Sequence, residues 1–174
     1  MNKTKWITQT AIMIALLVTL QGITRSLGQF VTGSCVNFIL TITTLICGLS
    51  SGLTVAILSP FFAFILGIGP AFLPIVPGVS LGNAVLVILL WYMLGRHGVN
   101  SSLQRKSLAL TGSAAGKFLV LYILITKLIL PLLPLNEKQI GVIGASFSWP
   151  QLVTAGIGIS LGILLWPKVK SANR

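Results

Sequence analysis

The chain has 174 residues, of which 55% are hydrophobic and 7% are charged, whereas about a quarter of the residues in soluble domains are charged. This composition indicates an integral membrane protein with no room for a separate soluble domain, so we expect a single domain over residues 1–174. The net charge is +11, and the only acidic side chain, Glu137, excludes chemistry that needs paired carboxylates.

Six apolar segments are separated by polar residues, glycines and prolines: 7–24, 36–49, 53–68, 81–94, 108–130 and 147–165. About 20 residues are needed to cross a bilayer as a helix, so the pattern predicts an all-α bundle of six transmembrane helices. The second and fourth segments are short. They either extend into their flanks, from Phe30 and Pro77, or lie where the membrane is locally thin. We expect the first segment to be a retained helix, because no convincing signal cleavage site follows it.

Most positive charges fall on one side of the predicted path. If both termini share a side, the opposite side carries two cations, Arg25 and Lys138, and Lys117 and Lys127 fall within the fifth segment. The first side carries eight cations: Lys3, Lys5, Arg96, Arg105, Lys106, Lys168, Lys170 and Arg174. Because cytoplasmic loops are enriched in Lys and Arg, we predict cytoplasmic termini and a multi-pass protein of a prokaryotic plasma membrane. Cations at the ends of apolar runs indicate topology and not nucleic-acid binding.

The connections between the segments carry further signals. The sequence GLSSG at 48–52 predicts a tight cytoplasmic turn. Residues 67–80 contain three prolines and are too apolar for a freely solvated loop, so we expect them to fold back as an outer lid. The outer connection 131–146 holds Glu137.

Two lysines interrupt the fifth apolar segment. Lys117 lies near the middle of the membrane, where a charge costs about 3 kcal/mol or more. We expect it to face the interior of the bundle, where a bound anion would supply the missing charge. Lys127 lies near the outer boundary, where it either contributes to a pocket or extends to the headgroups.

Polar and aromatic side chains converge on the outer side of the predicted bundle. Asn37, Asn83, Trp149 and Gln151 are candidate ligand contacts, because amides both donate and accept hydrogen bonds within an apolar cavity. Asn83 could instead cap a helix, and Trp149 could belong to the aromatic belt of the membrane interface.

Enzymatic chemistry has little support in the sequence. The only imidazole, His97, falls in a cytoplasmic loop without an aspartate to orient it. Two cysteines and one histidine are too few for a structural zinc site, and no nucleotide-binding motif is present. We therefore expect no enzyme, metal or cofactor, and ATP-driven transport would require a partner that hydrolyses ATP.

The first and third segments carry two spaced motifs of small residues. Ala11 and Ala15 form an Ala-x-x-x-Ala, which lets another helix approach closely, and Gly48 and Gly52 form a Gly-x-x-x-Gly before the third segment. With the length, apolarity and six-segment topology, this pattern resembles the substrate-binding S component of energy-coupling factor (ECF) vitamin transporters over nearly the whole chain.

The resemblance implies partners and a transport cycle. In that family the alanine face docks on a transmembrane T subunit, so Ala11 and Ala15 would take that role, and two ATP-binding-cassette ATPases would drive transport. The pocket would open outward and use the later helices and outer loops, where four candidates fall: Asn83, Lys127, Trp149 and Gln151. The predicted ligand is a small vitamin, with pantothenate first and a pyrimidine or pyridine vitamin second. The alternatives are a self-associating channel or scaffold and a membrane enzyme that uses Lys117 as its base.

Overall fold

The computed structural model describes residues 2–70 and 72–172, with the backbone alone for 170–172. Every regular element in these ranges is helical, which confirms the all-α prediction. The α-helices are Lys3–Thr24 (α1), Gln29–Cys47 (α2), Leu49–Ile65 (α3), Ile75–Met93 (α4), Leu103–Leu121 (α5), Glu137–Ser146 (α6) and Trp149–Ala172 (α7). Arg174, one of the eight cations counted above, lies outside the described residues.

Five helical stretches are long and apolar enough to cross a membrane: Lys3–Leu27, Gln29–Cys47, Ile75–His97, Leu103–Leu132 and Glu137–Val169. The remaining apolar helix, α3, has 17 residues and spans about 26 Å at 1.5 Å per residue, slightly less than the hydrocarbon core of about 30 Å. The orientation and the count of six spans stay predictions.

Two helices begin earlier than their apolar segments indicate. α2 begins at Gln29, directly after Gly28, whose φ of +87° suits glycine. α4 begins at Ile75, so only the first part of the predicted 67–80 loop is irregular. Both short segments thus extend into their N-terminal flanks, which gives each helix 19 residues.

The predicted turn at 48–52 is wrong in extent, since the turn consists of Gly48 alone. Its φ of +90° ends α2 at Cys47, and α3 begins at Leu49. Gly52 is a buried helical residue of α3, and a Cβ there would lie 2.6 Å from Thr44 Oγ1. The glycines therefore have two separate roles, a reversal of the chain and a close approach of α3 to α2.

α2 is the central helix of the bundle, and its most extensive contact is with α7. Gly158 and Gly162 of α7 permit this contact. A Cβ at Gly158 would lie 2.6 Å from Asn37 Cβ, and a Cβ at Gly162 would lie 2.4 Å from Thr41 Cγ2. α4 packs against α3 and α5, α5 packs against α7, and the main apolar core takes residues from α1 to α5 and from α7.

Candidate ligand-binding site

A cavity of about 330 Å³ opens at the end of the bundle where α1 ends and α2 begins. This volume is near the lower end of the range for small-molecule pockets, about 300–1,000 Å³. Its rim is formed by Arg25 and Gln29, by Phe72 of the loop between α3 and α4, and by Phe147 between α6 and α7. Asn37, Asn83 and Lys117 lie in its wall and are at most 3% exposed. We call these three buried residues the floor of the cavity.

The floor is joined by short hydrogen bonds between three helices. The Lys117 ammonium of α5 donates to Asn37 Oδ1 of α2 at 2.6 Å and to Asn83 Oδ1 of α4 at 2.7 Å. An ammonium has three N–H donors, so one remains for another acceptor. Because the amide oxygens are neutral, they solvate the charge but do not neutralise it.

The chain has a single acidic side chain, Glu137, and it is exposed on α6. Within the described residues Lys117 bonds only to the two amides. A buried charge without an ionic partner is costly. The arrangement therefore favours an anion, or the negative end of a strong dipole, in the cavity.

A second set of hydrogen bonds connects the floor to α7. Asn37 Nδ2 donates to Thr154 Oγ1 at 3.4 Å, and Thr154 Oγ1 donates to the Gln151 carbonyl at 3.3 Å. The side-chain nitrogen of Gln151, Nε2, donates to the Ser146 carbonyl at the end of α6, at 2.9 Å. The start of α7 is thus fixed to the floor on one side and to the rim on the other.

The loop between α3 and α4 folds back against α3. The amides of Ile68 and Gly69 both donate to the Ala63 carbonyl at 2.9 Å. Across the rim, Arg25 Nη1 donates to the Gly67 carbonyl. This position over the cavity is consistent with the predicted lid.

Four of the six candidate ligand contacts lie in one place: Asn37, Asn83, Lys117 and Gln151 all line the cavity. The other two do not. Lys127 is exposed on the π-helical extension of α5, Tyr122–Ile129, with its ammonium 5.3 Å from the centre of the Tyr122 ring. Trp149 is 62% exposed, and its ring lies 5.6 Å from that of Phe30.

The structure excludes one alternative and adds a residue that the sequence did not indicate. Asn83 lies in the middle of α4 and does not cap a helix. Thr154, fully buried, connects the floor to α7. Its only sequence signal is its place one helical turn after Gln151 and one before Gly158, on the face of α7 that contacts α2.

The two alanines of the predicted docking motif, Ala11 and Ala15, are exposed on α1. The opposite face of α1 is held to α3 by hydrogen bonds from Trp6 Nε1 to Ser50 Oγ, at 3.1 Å, and from Thr10 Oγ1 to Ser51 Oγ, at 3.0 Å. Ala11 and Ala15 are therefore available to another helix. Among the described residues, no three His, Cys, Asp or Glu side chains are grouped closely enough to hold a metal ion.

Comparison with known proteins agrees with this architecture. No curated protein sequence and no solved structure gives a significant match. The family described as "ECF transporter, substrate-specific component" matches residues 5–169, a range that includes the residues lining the cavity. The chain therefore belongs to the family of substrate-specific components of ECF transporters.

Proposed function

We propose that the protein is the specificity subunit of an ATP-driven importer and binds a small anionic vitamin in an outward-facing cavity. The observation that carries this proposal is Lys117, which is 3% exposed in the wall of a 330 Å³ cavity and bonded to two neutral amides. A ligand carboxylate would complete its coordination with a charge-assisted hydrogen bond. Arg25 at the rim adds to the positive potential of the entrance.

Pantothenate is the preferred ligand, with a pyridine or pyrimidine vitamin second. Its carboxylate suits Lys117, and its hydroxyl and amide groups suit a second polar contact at Gln151. The Gln151 nitrogen is bonded to the Ser146 carbonyl, so its oxygen remains as an acceptor for a ligand hydroxyl or N–H. The apolar remainder of the wall, including Val36, Ile75 and Val79, suits the methyl groups of such a ligand.

The remaining steps of the proposed transport cycle are those expected for a member of this family. The ligand enters from outside, the loop between α3 and α4 closes over it, and the subunit topples in the membrane against a T subunit. Ala11 and Ala15 would form the docking face on α1, and two ATP-binding-cassette ATPases would supply the energy. The positive charges near Lys3, Arg96 and Arg105 support cytoplasmic termini in a prokaryotic plasma membrane, with the cavity on the outer side.

Thermal unfolding of the purified protein against a panel of vitamins tests the proposal. A ligand that binds only the folded state adds RT ln(1 + [L]/Kd) to the free energy of unfolding, about 2.7 kcal/mol at 100 times Kd. We expect a concentration-dependent rise of the unfolding midpoint with pantothenate. If no vitamin raises it and the protein forms homo-oligomers, the self-associating channel or scaffold is favoured instead.

A comparison of Lys117→Met with Lys127→Met tests whether the ligand binds in the cavity. Both changes remove one ammonium from the same helical segment, but only Lys117 lies in the cavity. Loss of one partner of a buried charge pair costs about 2–5 kcal/mol, so Lys117→Met should weaken pantothenate binding by at least about 30-fold. Lys127→Met should retain wild-type affinity. Equal affinity in both variants would contradict the proposal.

A further inference from the structure

Lys117 fixes the orientation of two amide groups in the floor. A lysine ammonium only donates hydrogen bonds, so each asparagine must turn its oxygen toward it. Asn37 and Asn83 both do so, at 2.6 and 2.7 Å. The NH2 group of each asparagine therefore points away from Lys117.

The two NH2 groups differ in their hydrogen-bond partners. Asn37 Nδ2 donates to Thr154 Oγ1 at 3.4 Å. Asn83 Nδ2 has no hydrogen-bond partner among the described residues, although Asn83 is only 1% exposed and lies in the cavity wall. A donor in a cavity wall that has no protein partner is free to bind an acceptor of a ligand.

Resting on the proposed function, we infer that Asn83 Nδ2 and the third N–H of Lys117 form a two-donor site for one carboxylate. One oxygen of the carboxylate binds the ammonium and the other binds the Asn83 NH2. Asn37 is a positioning residue, because its amide holds Lys117 and is itself held by Thr154. The site thus selects a carboxylate over a neutral group of similar size, which cannot accept both hydrogen bonds while supplying the negative charge.

The experiment compares Asn83→Asp with Asn37→Asp. Each variant places a new carboxylate beside the same ammonium at nearly the same distance, so the charge of Lys117 is compensated equally. Only Asn83→Asp removes the unpartnered donor and puts a negative charge where the ligand carboxylate would bind. Titration calorimetry uses two matched pairs of probes, pantothenate with panthenol and nicotinate with nicotinamide.

In the wild type we expect the carboxylate of the pair that binds to be held at least about 30-fold more tightly than its neutral analogue. Asn83→Asp should remove this preference, with a loss of carboxylate affinity at least about tenfold greater than in Asn37→Asp. The affinity for the neutral analogue should change less than threefold in Asn83→Asp. If either aspartate variant fails to fold, Asn83→Ala and Asn37→Ala give the same comparison.

Three outcomes are informative. The selective loss in the Asn83 variant supports the two-donor site. Equal losses in the Asn83 and Asn37 variants, or equal wild-type affinity for the carboxylate and its neutral analogue, overturn the two-donor site while the importer function stands. A wild-type protein that binds neither pair overturns both the anionic ligand and the site built on it.

Discussion

The floor and the rim of the cavity are held in very different ways. The floor lies among α2, α4, α5 and α7, and its three residues are nearly fully buried. The rim residues Arg25, Gln29, Phe72 and Phe147 lie at helix ends or in loops, and α6, which precedes Phe147, has no buried residue. Local opening is easiest where few buried contacts must break. The difference suggests a rigid floor that recognises the ligand and a mobile rim that admits it.

The rigidity of the floor has a specific cause in the contact between α2 and α7. A Cβ at Gly158 would meet Asn37 Cβ, the Phe38 nitrogen and the Ser34 carbonyl, all within 2.7 Å. Backbone atoms cannot rotate out of the way as a side chain can. The position of Asn37, and through it that of Lys117, therefore depends on the absence of a side chain on α7.

The largest effect is expected at α1, whose C-terminal end leads into the rim and which contributes no residue to the floor. Replacing Ala15 with leucine adds bulk to the exposed face that carries Ala11 and Ala15. Close helix packing in membranes needs small residues, so Ala15→Leu should reduce co-purification of the T subunit to background. Because Ala15 is not part of the cavity wall, ligand affinity should stay within about twofold of wild type. Co-purification and titration calorimetry measure the two effects.

A control variant for α1 adds bulk elsewhere on the outer surface. Leu164 of α7 is 69% exposed, and Leu164→Phe should leave both the complex and ligand binding intact. If Ala15→Leu lost ligand binding together with the T subunit, α1 would be coupled to the floor, and the contrast between the two regions would fail.

A smaller effect, confined to the floor, is expected from Gly158→Ala. The added methyl group forces α2 and α7 apart, and overpacking of this kind costs about 1–3 kcal/mol. The thermal midpoint of the ligand-free protein should fall, and ligand affinity should drop by about tenfold as Asn37 moves away from Lys117. Differential scanning fluorimetry and calorimetry report the two changes.

Gly156 provides a matched control on the same helix. A Cβ there meets no atom within 4 Å, and alanine is favoured over glycine within helices by about 0.5–1 kcal/mol. Gly156→Ala should therefore leave the midpoint unchanged or raise it slightly. If the Gly158 and Gly156 variants behaved alike, close packing of α7 would not be what positions the floor.

The sequence predicted the helical class and pointed to all three residues of the floor, because burial in a membrane constrains residue types strongly. A lysine in the middle of an apolar segment has few stable environments, so placing Lys117 inside the bundle needed no tertiary information. Its partners could not be deduced in the same way, since Asn37 and Asn83 are 80 and 34 residues away along the chain. Contacts of that kind depend on which helices are neighbours.

The rim was predicted less well, for reasons that are also physical. Residues 137–146 of α6 are only moderately apolar and lie beside the prolines of the outer connection, so the short helix gave no clear periodic signal. The π-helical turns of Tyr122–Ile129 alter the rotation along α5, and a regular 100° per residue could not locate Lys127. The direction in which the Trp149 side chain points depends on where α7 begins, and the sequence did not fix that residue.

The smallest expected effect concerns the connection across the rim, between Arg25 and the Gly67 carbonyl. Arg25→Met removes the hydrogen bond, and an exposed bond of this type is worth about 1 kcal/mol. The loop after α3 should then open more often, so the ligand should dissociate several-fold faster.

Arg25→Lys keeps the positive charge at the entrance and tests whether attraction of the anion explains the change. If the methionine variant slowed association and left dissociation unaltered, Arg25 would act through its charge alone. Faster dissociation with unchanged preference for carboxylates would instead show that the rim controls residence time while the floor controls specificity.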